Sequence, residues 1–254
     1  MSRWLNDLYK KNELHFALAW IGLYCTANSL ANPISAAIGI DSSANFTFNL
    51  LLTIVLSAWI HRENAAERYG LCRTKVPAGR FLWYVPLILF MTHNLWFGLA
   101  LNLPAADTVC YVLNMLCVGF LEEVIFRGFL FRALEKDNAK TAIVVSSVTF
   151  GLGHILNLFN GSGMELAENA VQVVGAIVCG FLFVVIFHRG GSLIPCIVAH
   201  SVNNALSAFA NEAALTSGRA FLASAANLVI VAAYTLILCK TLPEPNCVQA
   251  ESNE

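Results

Sequence analysis

Charge is scarce in this sequence. Only 12% of its 254 residues are Asp, Glu, Lys or Arg, while 57% are hydrophobic, and soluble globular domains usually carry about a quarter of charged residues. The mean hydropathy of +0.65 agrees with this composition. A soluble domain is therefore excluded, and the sequence is expected to belong to a polytopic protein of the lipid bilayer.

Several signatures of metal or disulfide chemistry are also missing. The eight cysteines include no Cys-x-x-Cys pair, and most of them lie inside apolar segments, where they are expected to act as small buried hydrophobic residues. No His-Glu-x-x-His segment is present. Neither a disulfide framework nor a zinc cluster built from cysteines is expected.

Apolar segments that alternate with short polar loops predict an all-α fold, a helical bundle with about eight transmembrane helices. No internal repeat is evident, so a single domain is expected over residues 1–254, with its motif core over 109–210 and a polar, disordered tail over 241–254. The predicted spans are 15–38, 46–60, 81–103, 109–134, 141–157, 166–188, 193–210 and 220–238.

The positions of Lys and Arg give the predicted orientation. If the spans alternate from a cytoplasmic N-terminus, all 15 Lys and Arg residues except Arg219 fall on the cytoplasmic side, as the positive-inside rule requires. A multi-pass integral membrane protein with both termini in the cytoplasm is therefore predicted, in the cell membrane if the host is a prokaryote.

Two adjacent carboxylates interrupt the fourth predicted span. Glu122 and Glu123 lie with Arg127 in an otherwise apolar stretch, and ionisable groups at such depth are costly unless they face a partner or a polar cavity. Glu123 and Arg127 are four residues apart and are expected to pair in support of this helix end. A second catalytic carboxylate at Glu123 is the alternative. Glu122 points about 100° away from Glu123 and needs a partner of its own.

Polar residues in two later spans lie at a comparable depth. His154 follows Phe150 by four residues in the fifth span, and His200 and Asn204 share one face of the seventh. At 1.5 Å per residue, Glu122 and these later polar residues lie about 12 to 20 Å from the cytoplasmic helix ends. One such residue is often a structural hydrogen-bonding group. A set at one depth on three helices predicts a shared, water-filled catalytic cavity.

At these residues the chain resembles the CPBP intramembrane proteases, which include the type II CAAX prenyl endopeptidases and the bacterial Abi proteins. The resemblance covers residues 119–204, about a third of the chain, and implies eight spans with a site that faces the cytoplasm. Phe150 is given a supporting role. The motifs are Glu-Glu-x-x-x-Arg at Glu122, Glu123 and Arg127, Phe-x-x-x-His at Phe150 and His154, and His-x-x-x-Asn at His200 and Asn204.

The residue types favour peptide hydrolysis by an activated water molecule. The motifs contain no serine or cysteine nucleophile, so hydrolysis needs a base for the water and donors for the oxyanion. Glu122 is suited to be the base, and His154 to orient the water. His200 and Asn204 are the expected oxyanion donors, and the resemblance implies the same division of roles.

No cofactor is favoured. Glu122, His154 and His200 are the candidate ligands if a catalytic zinc ion is present, and the family is often described as metalloproteases for that reason. A Glu and His pair activates water without an ion, however, and the zincin helix is missing. The sequence therefore favours the metal-free mechanism, with zinc as the alternative.

The expected partners are the lipid bilayer and a membrane-bound peptide or protein substrate, with a prenylated CAAX-type tail as one substrate class. No nucleic acid partner is expected. One alternative is a non-proteolytic membrane scaffold or immunity protein of the same fold, which would lose part of the polar set. Another is a proton-coupled transporter, which would show inverted repeats or paired broken helices.

Overall fold

A computed structural model describes residues 3–74, 76–160, 164–214 and 216–244. Within these ranges the secondary structure is helical, apart from an isolated antiparallel bridge between Leu99 and Ala210. The predicted all-α class is confirmed. Residues 245–254 of the predicted polar tail lie outside the described residues.

The principal helices are labelled α1 to α9 in chain order. The continuous helix α5 contains a π-helical segment over Glu123–Phe131, and a 3₁₀ turn over His154–Leu158 follows α6. The helices are α1 (Arg3–Lys11), α2 (Glu13–Ile38), α3 (Ser43–Arg62), α4 (Val85–Thr92), α5 (Ala105–Glu135), α6 (Ala139–Gly153), α7 (Leu166–Gly190), α8 (Ile194–Leu206) and α9 (Ser217–Thr241).

Within the described ranges, five helical segments are long and apolar enough to cross a membrane, which makes the chain a multi-pass membrane protein. They are Ser43–Arg62, Ala105–Glu135, Ala139–Leu158, Leu166–Gly190 and Gly218–Thr241. The total of eight spans stays a prediction. Helix α8 has 13 residues and extends about 20 Å, which is less than the thickness of a bilayer core of about 30 Å.

The continuous third helix predicted over 81–103 does not form. Only Val85–Thr92 is α-helical there. Gly98 has a positive φ of 103°, a conformation that a helix cannot contain. The strand-like segment after Gly98 instead pairs with the end of the α8 region, where Ala100 N donates to Phe209 O at 3.0 Å. Hydropathy does not distinguish a continuous helix from this pairing, because the backbone N–H and C=O groups find hydrogen-bond partners in both.

A cluster of aromatic side chains fills the end of the bundle that carries most Lys and Arg residues. Phe16 of α2, Trp59 of α3, Phe129 of α5 and Tyr69 are each at most 3% exposed. The rings of Phe16 and Trp59 lie 4.8 Å apart, as do those of Tyr69 and Phe129. Edge-to-face and tilted contacts of this kind add stability beyond the burial of area. We call this group the aromatic cluster.

A glycine sets the distance between α5 and α8. A Cβ atom at Gly119 would lie 2.6 Å from the backbone nitrogen of Ser201, so only glycine allows the two backbones to approach this closely. The approach lies one helical turn before Glu122 on α5 and directly beside His200 on α8. The two motif-bearing helices are therefore held in register by backbone contact.

Candidate active site

The Glu-Glu motif lies where α5 changes from α-helix to π-helix. Residues Ala105–Glu122 are α-helical, and Glu123–Phe131 form the π-helix. The sequence predicts a regular α-helix here, and that prediction is wrong. Segments of π-helix are rare and are frequent at functional sites. Every residue of this segment is buried, so the charged side chains within it depend entirely on protein partners.

Glu123 and Arg127 form the predicted ion pair. Arg127 Nη1 donates to Glu123 Oε1 at 3.1 Å, and both side chains are 0% exposed. The guanidinium carbon of Arg127 lies 3.9 Å from the ring centroid of Phe150, a cation–π geometry. Among the described residues, Nε and Nη2 of Arg127 have no hydrogen-bond partner. The guanidinium group of Arg127 therefore has hydrogen-bond partners for only some of its N–H groups, and the ring of Phe150 packs over it.

His200 joins the two carboxylates of the motif. Its Nδ1 donates to Glu123 Oε1 over 2.8 Å, and its Nε2 lies 3.5 Å from Glu122 Oε2. The donor role of Nδ1 follows because a carboxylate oxygen held by Arg127 is an acceptor. Glu123 therefore connects Arg127 to His200 and fixes the plane of the imidazole ring.

Glu122 finds its separate partner on α2. The hydroxyl of Tyr24 donates to Glu122 Oε1 at 2.7 Å, while Oε2 of the same carboxylate faces His200. The sequence predicts that Glu122 needs its own partner but gives no signal for Tyr24, because a single tyrosine in an apolar helix is common. Tyr24 is a site residue that only the structure reveals.

The remaining motif residues present free polar atoms. The Phe150 carbonyl accepts from His154 Nδ1 at 3.1 Å, which leaves Nε2 of a neutral imidazole with its lone pair available. Asn204 Oδ1 accepts from Asn203 Nδ2 at 3.3 Å. In the described part of the chain, no acceptor is found for the amide nitrogen of Asn204, which is therefore able to donate to a ligand.

One large cavity brings these side chains together. Its volume is about 1400 Å³, and Glu122, His154, His200 and Asn204 all line it, together with Tyr24. Glu123 and Arg127 are absent from its lining and lie behind it, in the protein interior. The predicted catalytic set therefore faces shared space, and the predicted supporting pair stands behind His200.

Comparison with known proteins identifies this part of the chain. A family model described as Type II CAAX prenyl endopeptidase Rce1-like matches residues 104–206. Residues 104–206, about two fifths of the chain, are therefore similar to the CAAX protease family. The Rce1-like domain runs from the start of α5 to the end of α8 and contains all three motifs, so the resemblance seen in the sequence is confirmed. No curated protein and no solved structure matches the chain.

Helices α2 and α3 add a wall of asparagines to the Rce1-like domain. Asn49 Nδ2 donates to Asn28 Oδ1 at 2.9 Å and to Asn114 Oδ1 at 2.8 Å. Asn45 Nδ2 donates to Asn32 Oδ1 at 2.7 Å. The spacing of four residues within each pair, 28 and 32 or 45 and 49, is the overlooked sequence signal, because it places both amides on one helical face. We call this group the amide wall.

Whether the Rce1-like domain could hold a metal ion depends on how its possible metal-ligating side chains are arranged. Among the described residues, no group of three or more His, Cys, Asp or Glu side chains is arranged to hold a metal ion. The Nδ1 of His200 is bonded to Glu123, so Nε2 is the ring nitrogen that an ion beside Glu122 would meet. As they are placed, Glu122, His154 and His200 do not form a three-ligand zinc site, and the metal-free mechanism stays a prediction.

Proposed function

We propose that the chain is an intramembrane endopeptidase that hydrolyses a peptide bond of a membrane-associated substrate with water activated by Glu122 and His154. The observation that carries the proposal is the shared cavity. Glu122, His154, His200 and Asn204 come from three helices of the Rce1-like domain, and all four line it. Similarity to a protease family supports hydrolase activity, and the cavity supplies the groups that hydrolysis needs.

His200 stands between the two carboxylates of the motif. Its Nδ1 lies 2.8 Å from Glu123 Oε1, and its Nε2 lies 3.5 Å from Glu122 Oε2. In the proposed mechanism, Glu123 holds the ring through Nδ1, and Nε2 is the nitrogen that donates to the substrate.

Water activation requires an acceptor for each proton of the attacking water. In the proposed mechanism Glu122 Oε2 takes one proton as the water oxygen bonds to the substrate carbonyl carbon. The lone pair of His154 Nε2 accepts a hydrogen bond from the other proton and orients the water. The Tyr24 hydroxyl holds Oε1 of Glu122, so the carboxylate presents its free oxygen to the cavity.

The developing oxyanion needs donors that are already in place. His200 Nε2 and the Asn204 amide nitrogen supply them in the proposed mechanism. When the oxyanion forms, Glu122 has become neutral, so the total charge of the site stays unchanged. Glu122 then passes its proton to the amine nitrogen as the C–N bond breaks. The carbonyl re-forms and leaves a carboxylic acid and an amine as products.

The substrate in this proposal is a membrane-associated peptide or protein. The matching family is described as Type II CAAX prenyl endopeptidase Rce1-like, and a prenylated CAAX-type tail is therefore one candidate. The cavity combines apolar wall residues with amides and hydroxyls, a lining that suits an extended peptide with apolar side chains.

The decisive experiment measures turnover by purified protein of two quenched fluorescent peptides, one ending in a prenylated CAAX sequence and one without the prenyl group. Glu122→Gln and His154→Ala should each lower turnover by at least about a hundredfold, the usual scale of lost acid–base catalysis. The matched controls are Glu212→Gln and His61→Ala, which change exposed residues. Full activity in a folded Glu122→Gln protein would contradict the proposal.

A further inference from the structure

The cavity lies in one half of the bundle. Each long helix contributes to its lining only through residues remote from the end where its Lys and Arg residues cluster. Helix α5 lines it from Tyr111 to Glu122, before the π-helical segment, and α9 lines it from Phe221 to Val231. The lining also reaches Asp41 in the loop between α2 and α3.

The opposite half of the bundle is closed. Below Glu122 come the fully buried π-helical segment and the aromatic cluster. Trp59 and Phe16 are each 1% exposed, and Phe131 and Phe187 are 0% exposed. Close packing of this kind leaves no path for a peptide. A substrate reaches Glu122 from the half that contains the cavity, and the end with the basic loops is sealed.

Lys and Arg residues divide unequally between the same two ends, whereas carboxylates occur at both. The cavity end has a single described cation, Arg219. The closed end carries the described residues Lys10, Lys11, Arg62, Arg68, Arg73, Arg80, Arg132, Lys136, Lys140, Arg189 and Lys240. Short loops rich in Lys and Arg stay in the cytoplasm.

From these observations we infer that the cavity opens on the non-cytoplasmic face of the membrane and that the substrate approaches from there. The inference rests on the proposed function in assuming that the cavity receives a substrate. The direction of access rests on the loop charges. It opposes the cytoplasm-facing site that the family resemblance implies, since basic cytoplasmic loops and a cytoplasmic cavity cannot both hold for this bundle.

The substrate class follows from the direction of access. A tail that stays in the cytoplasm cannot reach the cavity, whereas a segment of a membrane protein that emerges on the non-cytoplasmic side can. The amide wall lies along this approach, with Asn28, Asn32 and Asn45 in the cavity lining. These side chains are hydrogen-bonded within the amide wall, and they give the approach a polar side that an extended peptide backbone can contact.

The test is the labelling of single cysteines in the full chain, and it does not depend on hydrolysis. The background keeps the buried Cys117 and Cys196 and replaces the other cysteines by serine. Met115→Cys places a thiol in the cavity, and Asp137→Cys places one at the closed end. A charged, membrane-impermeant methanethiosulfonate is applied to intact bacterial cells and to inverted vesicles. The protein is then denatured and treated with a thiol-reactive mass tag, which reports the thiols that did not react with the first reagent.

In intact cells, the thiol of Met115→Cys should be lost to the reagent and that of Asp137→Cys should stay free. In inverted vesicles, the thiol of Asp137→Cys should instead be lost to the reagent. Protection of the Met115→Cys thiol in intact cells would overturn the inference, and so would reaction of Asp137→Cys there. Ser224→Cys, in the α9 wall of the cavity, replaces Met115→Cys if that variant fails to insert. The background without an added cysteine is the control.

Labelling and hydrolysis separate the two proposals. If labelling gives the expected pattern but no peptide is cleaved, the direction of access stands and the endopeptidase function fails. If a Glu122-dependent cleavage is found but the cavity is labelled only from the side of Asp137→Cys, the protease stands and the direction of access is wrong.

Discussion

The guanidinium of Arg127 lies 3.9 Å from the ring centroid of Phe150 and has no exposed surface. Two residues from different motifs are therefore in direct contact. Arg127 bonds to Glu123, and Glu123 bonds to His200. The arginine is thus connected to all three motifs, through its own helix, a ring and a carboxylate.

This connection predicts a large loss of stability when one partner of the buried pair is removed. Arg127→Met leaves Glu123 as an uncompensated buried charge and should cost about 3–5 kcal/mol, the scale for broken buried ion pairs. The double variant with Glu123→Gln should recover part of this loss. Thermal unfolding of detergent-purified protein, followed by size exclusion, is the measurement.

The matched control for this pair is Arg62→Met. Arg62 also lies close to a glutamate, Glu63, but the pair is separated by 4.0 Å and Arg62 is 64% exposed. Exposed pairs contribute little to stability, so Arg62→Met should unfold near the temperature of the unmodified protein. Equal effects of Arg127→Met and Arg62→Met would contradict the role given to the buried pair.

Asn204→Ala should lower kcat by about a hundred- to a thousandfold and leave KM nearly unchanged. The amide is proposed to donate only to the oxyanion, and loss of one such donor typically has this magnitude. Asn227→Ala removes another amide of the cavity lining and should change kcat little. A rise in KM with kcat preserved would instead assign Asn204 to substrate binding.

Tyr24→Phe should lower kcat about tenfold while the protein stays folded. The change removes only the hydroxyl that holds Glu122 Oε1 at 2.7 Å, and a hydrogen bond to a charged group contributes about 1.5–3 kcal/mol. Tyr24 acts through Glu122, so Tyr24→Phe added to Glu122→Gln should give no further loss. Additive losses in the double variant would show that Tyr24 acts elsewhere.

Chelation should leave activity unchanged. The proposed mechanism uses Glu122, His154, His200 and Asn204 without an ion, and among the described residues no three His, Cys, Asp or Glu side chains are arranged to hold one. Metal analysis of active protein, followed by treatment with a strong zinc chelator, is the measurement. Stoichiometric zinc whose removal abolishes activity and whose return restores it would overturn the metal-free mechanism.

The sequence was sufficient for the parts of the site that depend on helical spacing. Four-residue separations place Glu123 with Arg127, and His200 with Asn204, on common faces of their helices. Depth from the helix ends predicts a common level for Glu122 and His154. These properties are local, so they can be read from a single sequence once the segments are recognised as membrane helices.

The parts that escaped prediction depend on contacts between distant segments. The broken helix at Gly98 is compensated by Phe209 and Ala210, more than a hundred residues later in the chain. Tyr24 reaches Glu122 only because α2 packs against α5. The π-helical segment is a property of one helix, but nothing in its composition distinguishes it from an α-helix.

The approach of Gly119 to Ser201 has a consequence for the response of the protein to its lipid surroundings. Membranes of different thickness tilt the helices that cross them. At Gly119 the backbones of α5 and α8 meet without an intervening side chain, so a shift of one helix against the other is opposed by backbone contact. We expect the two helices to tilt together, and the separation of Glu122 from His200 to change little with bilayer thickness.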